Sequence, residues 1–193
     1  MRLLLIIGPP AAGKMTVGRE VARRSSFGLF HNHHTIEPLV EVFGYGTPPF
    51  VILNGEFRRR VVEEAAAHGR DLIFTFVWQL EDPADTAEVR ALVAPYERVG
   101  APVLVVELVA DLSTRLERNL GHDRIAAKPT KSDVAWSETN VVGMEAHRLN
   151  TDPTGGNTTP ADDFLRTHPH LRLHTDDLTA AQTAELVLRW LDD

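Results

Sequence analysis

The 193 residues of the chain suit one ordinary domain, long enough to bury a core without a disulfide or metal staple. There is no cysteine, which excludes a disulfide framework, a thiolate-bound zinc and a cysteine nucleophile, and fits a reducing compartment. The net charge of −7, from 20 Lys+Arg against 27 Asp+Glu, argues against a general nucleic-acid-binding surface, and no run reaches the roughly 18 apolar residues of a membrane span. These features lead us to expect a soluble, cytoplasmic protein with no membrane partner, monomeric or homodimeric.

The first apolar run, Leu3–Ile7, is short, unbroken and ended by Gly8 and Pro9, the pattern of a strand buried on both faces. It stops too soon for the hydrophobic region of a signal peptide. Residues 13–24 read as a helix, Leu29 and Phe30 as a short strand, and residues 35–43 as a brief helix before a loop over 44–49. A firmer helix is expected over 55–68, with Phe57, Val61 and Ala65 recurring every four residues and Gly69 as its stop. Residues 72–77 form the next strand. Asp82 caps a helix that reaches about Val99, with Pro83 in its first turn and Pro95 as a kink or early end.

Residues 102–109 are the most strand-like run, followed by a helix over 111–120, a basic loop over 121–131 and a helix over 134–149. The Thr-, Gly-, Pro- and Asn-rich stretch 151–160 reads as a connector. A last strand over 171–174 precedes a helix with capping-box spacing at Thr179 and Gln182 and an apolar face of Ala184, Val187, Leu188 and Leu191. Strands alternating with helices in this way predict a parallel sheet covered on both faces.

Between the first strand and its helix lies Gly8-Pro9-Pro10-Ala11-Ala12-Gly13-Lys14-Met15-Thr16. Gly, four residues, Gly and Lys match the P-loop pattern, in which glycines let backbone N–H groups turn around phosphate oxygens and the helix adds its positive end. Lys14 would reach the β- and γ-phosphates. One position departs from the pattern. Met15 stands where a hydroxyl should ligate Mg²⁺, and a thioether is a poor ligand for a hard cation. Thr16 supplies a hydroxyl one place later. Either it takes part of the metal role, or Mg²⁺ is held mainly by phosphates and water.

The segment GPPAAGKMTVGR, residues 8–19, resembles the loop and first helix of shikimate kinase and related small P-loop kinases. Gly55-Glu56-Phe57-Arg58 with Glu63-Glu64 is similar to the stretch of that family whose arginine binds the substrate carboxylate. Leu116-Glu117-Arg118-Asn119 to Asp123-Arg124 looks like the lid, whose arginines contact ATP. His174-Thr175-Asp176-Asp177-Leu178 resembles the turn beside the adenine.

The resemblance implies an α/β P-loop NTPase fold, three layers around a five-stranded parallel sheet in the order 2-3-1-4-5, with a lid at about 115–132. It also implies ATP and Mg²⁺ as cofactors. The implied nucleotide contacts are Gly8, Pro10, Ala11, Ala12, Gly13, Lys14, Met15, Thr16, Arg118 and Asp176, with Arg124 joining Arg118 over the transferring group. Two departures point away from shikimate. Phe30-His31-Asn32-His33-His34 replaces the substrate-binding Asp after the second strand, and Thr75-Phe76-Val77-Trp78 replaces the Gly-Gly-Gly after the third.

The histidines support three readings: a metal site at His31 and His33, a base for the acceptor hydroxyl where relatives use Asp, or ordinary hydrogen-bonded residues at a strand end. Asn32 and His33 lie where relatives place the acceptor-binding carboxylate. Arg58, Arg59 and Arg60 fan about 100° apart on a helix, so they cannot share one ligand. Arg58 is the candidate anion contact; Arg59 and Arg60 read as a solvated face. Arg115, Arg118, Arg124, Lys128 and Lys131 form a basic stretch in an acidic chain, suited to ATP phosphates or to a solvated helix end. Trp78 could line an acceptor pocket or belong to the core.

The expectation is a kinase moving the γ-phosphoryl group of ATP to a small-molecule or nucleotide acceptor. Lys14, His33, Arg118 and Arg124 are its catalytic candidates, Thr16 its metal contact, and Asn32, His33, Arg58 and Trp78 its acceptor contacts. The rival readings are a nucleotide kinase, an antibiotic phosphotransferase, or a non-catalytic nucleotide-binding regulator.

Overall fold

The structure, a computed structural model, describes residues 1–120, 134–156 and 158–193. Five strands make one parallel sheet in the order β2-β3-β1-β4-β5: β1 (Leu3–Ile7), β2 (Gly28–His31), β3 (Leu72–Thr75), β4 (Val103–Val109) and β5 (His170–His174). The expected fold class and strand order are therefore observed. β1 lies at the centre, with Leu3 paired to both Leu72 and Val103.

Side chains alternate across a strand, so β1 feeds two cores. Leu3, Leu5 and Ile7 face helices α3 (Pro48–Ala67), α4 (Pro83–Glu97) and α7 (Asp162–Thr167), which contribute Val62, Leu92 and Phe164. Leu4 and Ile6 face α1 (Lys14–Arg23) and the last helix, α8 (Ala180–Asp192), which contribute Val17, Val21, Ala184 and Val187. Every residue of β1 is buried on both faces, the physical reason its sequence is an unbroken apolar run. α2 (His33–Phe43), α5 (Leu112–Asn119) and α6 (Val134–Gly143) complete the described helices, with a 3₁₀ turn at Met144–Ala146. Among the described residues no helix is long and apolar enough to cross a membrane.

Several boundaries differ from the sequence reading. α3 starts at Pro48 rather than Gly55, because Thr47 is extended and the two prolines fill the first turn, where a missing N–H does no harm. Its buried face is Phe50, Arg58, Val62 and Ala66, one residue on from the expected stripe, and Phe57 is 44% exposed. This register turns Arg58 inward. The helix expected over 134–149 ends at Gly143 and gives way to the 3₁₀ turn. α7 follows the 151–160 connector and was missed. It is a single short turn-and-a-half, started where Asp162 accepts from the Thr159 N–H (2.7 Å) and hydroxyl (2.8 Å). Asp82 does cap α4, accepting from Ala84 N–H at 2.8 Å, and the Thr179–Gln182 capping box forms.

Glu107 on β4 is fully buried yet charged, and it fixes the connector to the sheet. Its carboxylate accepts from Asn150 Nδ2 (2.9 Å), the Thr151 N–H (2.8 Å) and the Thr151 hydroxyl (2.8 Å). His170 Nε2 lies 2.9 Å away and Arg172 Nε 3.5 Å. Burial alone would raise its pKa; the bonds from His170, Thr151 and Asn150 outweigh burial and hold it below the usual range. Removing one partner of such a group strands the others, so Glu107→Ala should cost about 3–5 kcal/mol in a urea unfolding experiment. A depressed carboxyl pKa stabilises above the unfolded value and loses that contribution as pH falls through the folded one. The gap between wild type and variant should therefore narrow below roughly pH 4. An unchanged midpoint at neutral pH would show that the cluster does not hold the connector.

Candidate active site

β1 ends at Gly8, whose φ of 135° is open to glycine and whose added Cβ would sit 2.3 Å from the Leu108 carbonyl oxygen. The chain then turns through Ala11 (φ 65°) and Gly13 (φ 98°) into α1. Lys14, the first residue of that helix, is only 9% exposed and folds back over the loop. Its ammonium donates to the carbonyls of Gly8 (2.7 Å) and Pro9 (2.6 Å). The loop thus holds a cation at its centre beside the start of a helix, whose first N–H groups have no intrahelical acceptors.

A cleft of about 1510 Å³ runs across the carboxyl ends of the strands, where parallel sheets bind ligands. At one end Pro10 to Val17 line it with Arg118 and Thr175. Arg118 donates from Nη1 to the Thr175 hydroxyl at 3.0 Å and from Nη2 to the Thr175 carbonyl, which fixes its guanidinium beside the turn after β5. Thr16 is an exposed lining hydroxyl, and Met15 beside it is half-buried. At the other end the lining comes from α2, α3, α4 and the turn after β3: Asn32, His33, Asn54, Arg58, Thr75, Gln79, Asp85 and Glu88, with Tyr45, Phe50 and Phe76 as apolar walls. Pro10 to Thr16, Asn32, His33, Arg58 and Arg118, all singled out from the sequence, therefore meet in one cleft, and Gly8 lies beneath it.

Two candidates do not reach it. Trp78 is fully buried, donates from Nε1 to the Thr86 hydroxyl (3.2 Å) and sits edge-on to Phe164. The chain turns it into the core below the sheet end, so it is not an acceptor contact. Asp176 accepts from the Asp111 N–H at 2.8 Å and stays outside the lining; it braces the turn that carries Thr175. Arg115 is buried too, donating to the Ala110 carbonyl and paired with Glu145. Arg124, Lys128, Lys131 and the lid beyond residue 120 lie outside the described residues.

The histidines divide. His33 is in the first turn of α2, its Nδ1 2.8 Å from Glu37 Oε1. His31 is buried and packs against His34 with ring centroids 3.7 Å apart and the planes tilted by 31°. Burial first, then Arg19, lowers the His34 pKa. Among the described residues no group of three or more His, Asp or Glu is arranged to hold a metal ion.

Arg58 is only 7% exposed. Nε donates to the Thr35 hydroxyl at 3.4 Å, Nη1 is 3.9 Å from Glu88 Oε1, and the guanidinium carbon lies 6.0 Å from the centre of the Phe76 ring. Burial lowers its pKa; Glu88 and Tyr45 oppose the shift. Thr35 in turn reaches Asn54 Oδ1 at 2.6 Å. Asn54, Asp85 and Glu88 were not picked out as site residues. Asn54 and Arg58 are one turn apart on α3, a signal hidden by starting that helix at Gly55. Asp85 and Glu88 carry an i,i+3 spacing that ordinary solvated helices share.

Asp85 Oδ2 accepts from the Gln79 N–H at 3.0 Å, but burial, then repulsion from Asp82 and Glu81, raises its pKa above the usual carboxylate value. A raised carboxyl pKa favours the fold below the unfolded value and penalises it as pH rises through the folded one. Asp85→Asn keeps the acceptor oxygen and removes the charge. Its Tm should exceed that of wild type at pH 7, with the gap closing on acidification through the carboxylate range; a lower Tm at pH 7 would refute this account of Asp85.

No protein-family model matches the chain, and no curated protein matches it. Solved structures do resemble it. Shikimate kinase from Acinetobacter baumannii, in complex with shikimate, has 18% identity and a TM-score of 0.57, covering 99% of this chain and 93% of that one. The APS kinase of Mycobacterium tuberculosis, in complex with AMPPNP and APS, has 14% identity, a TM-score of 0.56, and coverage of 100% and 98%. The tunicamycin resistance protein of Deinococcus radiodurans has 18% identity, a TM-score of 0.53, and coverage of 98% and 95%. At these identities the likeness is one of architecture, and the chain has the P-loop kinase fold.

Proposed function

We propose that the chain is an ATP-dependent phosphotransferase acting on a small hydroxylated acceptor in the cytoplasm. The observation that carries this reading is one continuous cleft joining the Lys14 loop to a polar pocket at the ends of β2 and β3. A nucleotide-binding module alone has no use for the second half.

The residues present fit the cofactors. Lys14 already holds its ammonium on two carbonyl oxygens in the loop, and phosphate oxygens are stronger acceptors of the same charge. Thr16 and Gln79 line the cleft and bear oxygens that suit a hard cation such as Mg²⁺, which the Met15 sulfur does not. ATP supplies the phosphoryl group and Mg²⁺ neutralises its charge. Lys14 and the residues from Gly8 to Thr16 would bind and orient the phosphates, and Arg118 would contribute positive charge at the same end of the cleft. Arg124 would join it from a lid at about 115–132.

His33 takes the acceptor proton. Glu37 Oε1 lies 2.8 Å from Nδ1 and fixes the ring, which makes His33 the candidate general base. With ATP bound, the acceptor oxygen would bond to the γ-phosphorus as the bond to the bridging oxygen breaks, and ADP would leave. Asn32 and Arg58 position the acceptor.

The purified chain should make ADP from ATP at a rate that rises when the right member of a panel of sugars, amino sugars, nucleosides, nucleotides and antibiotics is added. Lys14→Met should abolish both nucleotide binding and turnover, and His33→Gln should spare binding while lowering kcat by about 10²–10⁴. ATP binding lost in Lys14→Met, without any acceptor-dependent ADP across the panel, would favour a nucleotide-binding regulator instead. Met15 is the observation that favours that second reading.

A further inference from the structure

The acceptor end of the cleft has a chemistry that the likeness to shikimate kinase does not lead one to expect. That likeness assigns Arg58 to an anionic group of the substrate. In the structure the Arg58 guanidinium faces the Thr35 hydroxyl at Nε (3.4 Å) and Glu88 at Nη1 (3.9 Å), and lies over the face of Phe76. The second cation lining the cleft beside α2, Arg19, is solvent-exposed. Beside this one buried guanidinium stand two carboxylates, Asp85 and Glu88, on one side of α4.

The polar atoms beside them include several acceptors. Asn32 Oδ1 is buried and has no hydrogen-bond partner among the described residues. Asp85 receives one backbone N–H at Oδ2, and Asn54 Oδ1 takes the Thr35 hydroxyl. A buried acceptor left unmade costs free energy that a donor-bearing ligand recovers. An anionic ligand would supply further acceptors and would meet Asp85 and Glu88, with the buried Arg58, itself facing Glu88, as the guanidinium on that wall. The apolar wall made by Tyr45 and Phe50, ring centroids 5.1 Å apart, adds faces that attract a cation or a carbon skeleton.

We propose that this end of the cleft binds a hydroxylated amine, an amino sugar or amino alcohol in its protonated form, with the ammonium group between Asp85, Glu88 and Asn32. The ammonium carries three donors and no acceptor, which matches the atoms presented. Its hydroxyl is the group directed to His33. The identification of this end as the acceptor subsite rests on the phosphotransferase reading; the preference for a cation follows from the groups themselves.

The test uses two sets of ligands, each with one skeleton and three charges: glucosamine, glucose and glucuronate, and serinol, glycerol and glycerate. Binding to the full chain loaded with AMPPNP is followed by NMR chemical shifts, including the side-chain amides of Asn32 and Asn54. The amine of each set should bind at least about tenfold more tightly than its acid. The double variant Asp85→Asn, Glu88→Gln should bind AMPPNP as wild type does and lose that preference. An acid binding as well as its amine overturns the proposal. So does a failure of either amine to shift the amides at millimolar concentration, or an unaltered preference in the double variant. Failure of AMPPNP to bind wild type in a Lys14-dependent way would instead defeat the phosphotransferase reading, so the two failures are distinguishable.

Discussion

The Leu108 carbonyl oxygen occupies the space in which a side chain at position 8 would begin, and the geometry of the cleft depends on that contact. Only a residue without Cβ can leave β1 there, at a φ of 135°, while β1 stays paired to β3 and β4 on its two sides. The direction of the loop follows. It turns through Ala11 and Gly13, sets Lys14 as the first helical residue, and lets its ammonium return to the Gly8 and Pro9 carbonyls. β1 tolerates this because its five residues are held by two cores at once. Movement of the strand end would disturb both.

The degree of hydrogen-bond satisfaction separates scaffold from site. Glu107 and Arg58 are both buried charges, and both would be expensive without partners. Glu107 is saturated, with side-chain and backbone donors from two segments closing on its two oxygens. Its work is finished when the chain folds. The group around Arg58 is not closed in the same way: Glu88 stands 3.9 Å off, Asn32 Oδ1 has no partner among the described residues, and burial raises the Asp85 pKa. A partly satisfied polar cluster costs stability. Such a cluster is tolerable when a ligand completes it, and this one lines the cleft near the ends of β2 and β3.

Much of the architecture was legible because it is written in periodicity. The unbroken run Leu3–Ile7, the alternation of strands with helices, and the capping residues Asp82 and Thr179 have local causes and appear as read. The failures also have local causes. Pro48-Pro49 and Gly55 look like breakers, but the prolines occupy a helix start and the glycine is carried by a long helix packed on the core. That single misreading displaced the buried stripe by one residue and concealed the pairing of Asn54 with Arg58 on the cleft side. Trp78 was ambiguous for another reason. A strand end offers an aromatic either the ligand or the core, and only the position of Thr86 and Phe164 decides it. Asp85 and Glu88 had no distinctive spacing, so their role depends on which way α4 faces.

Met15 falls at a position of different kind from the rest of the loop. Gly8, Ala11 and Gly13 matter through backbone shape, and Lys14 through a charge that the loop carbonyls hold in place. None of these requires a hydroxyl at position 15. Consecutive helical residues point about 100° apart, so Thr16 cannot simply replace the missing group from the same direction. It presents its hydroxyl to the cleft from the next face of α1. The departure therefore leaves the backbone shape of the loop and the Lys14 charge intact and changes which side-chain atoms are offered beside them. The carboxylates Asp85 and Glu88 bring negative charge into the same cleft from α4. The two ends of the cleft thus have separate structural origins: the first is fixed by the strand end and its loop, the second by the walls that α2, α3 and α4 supply.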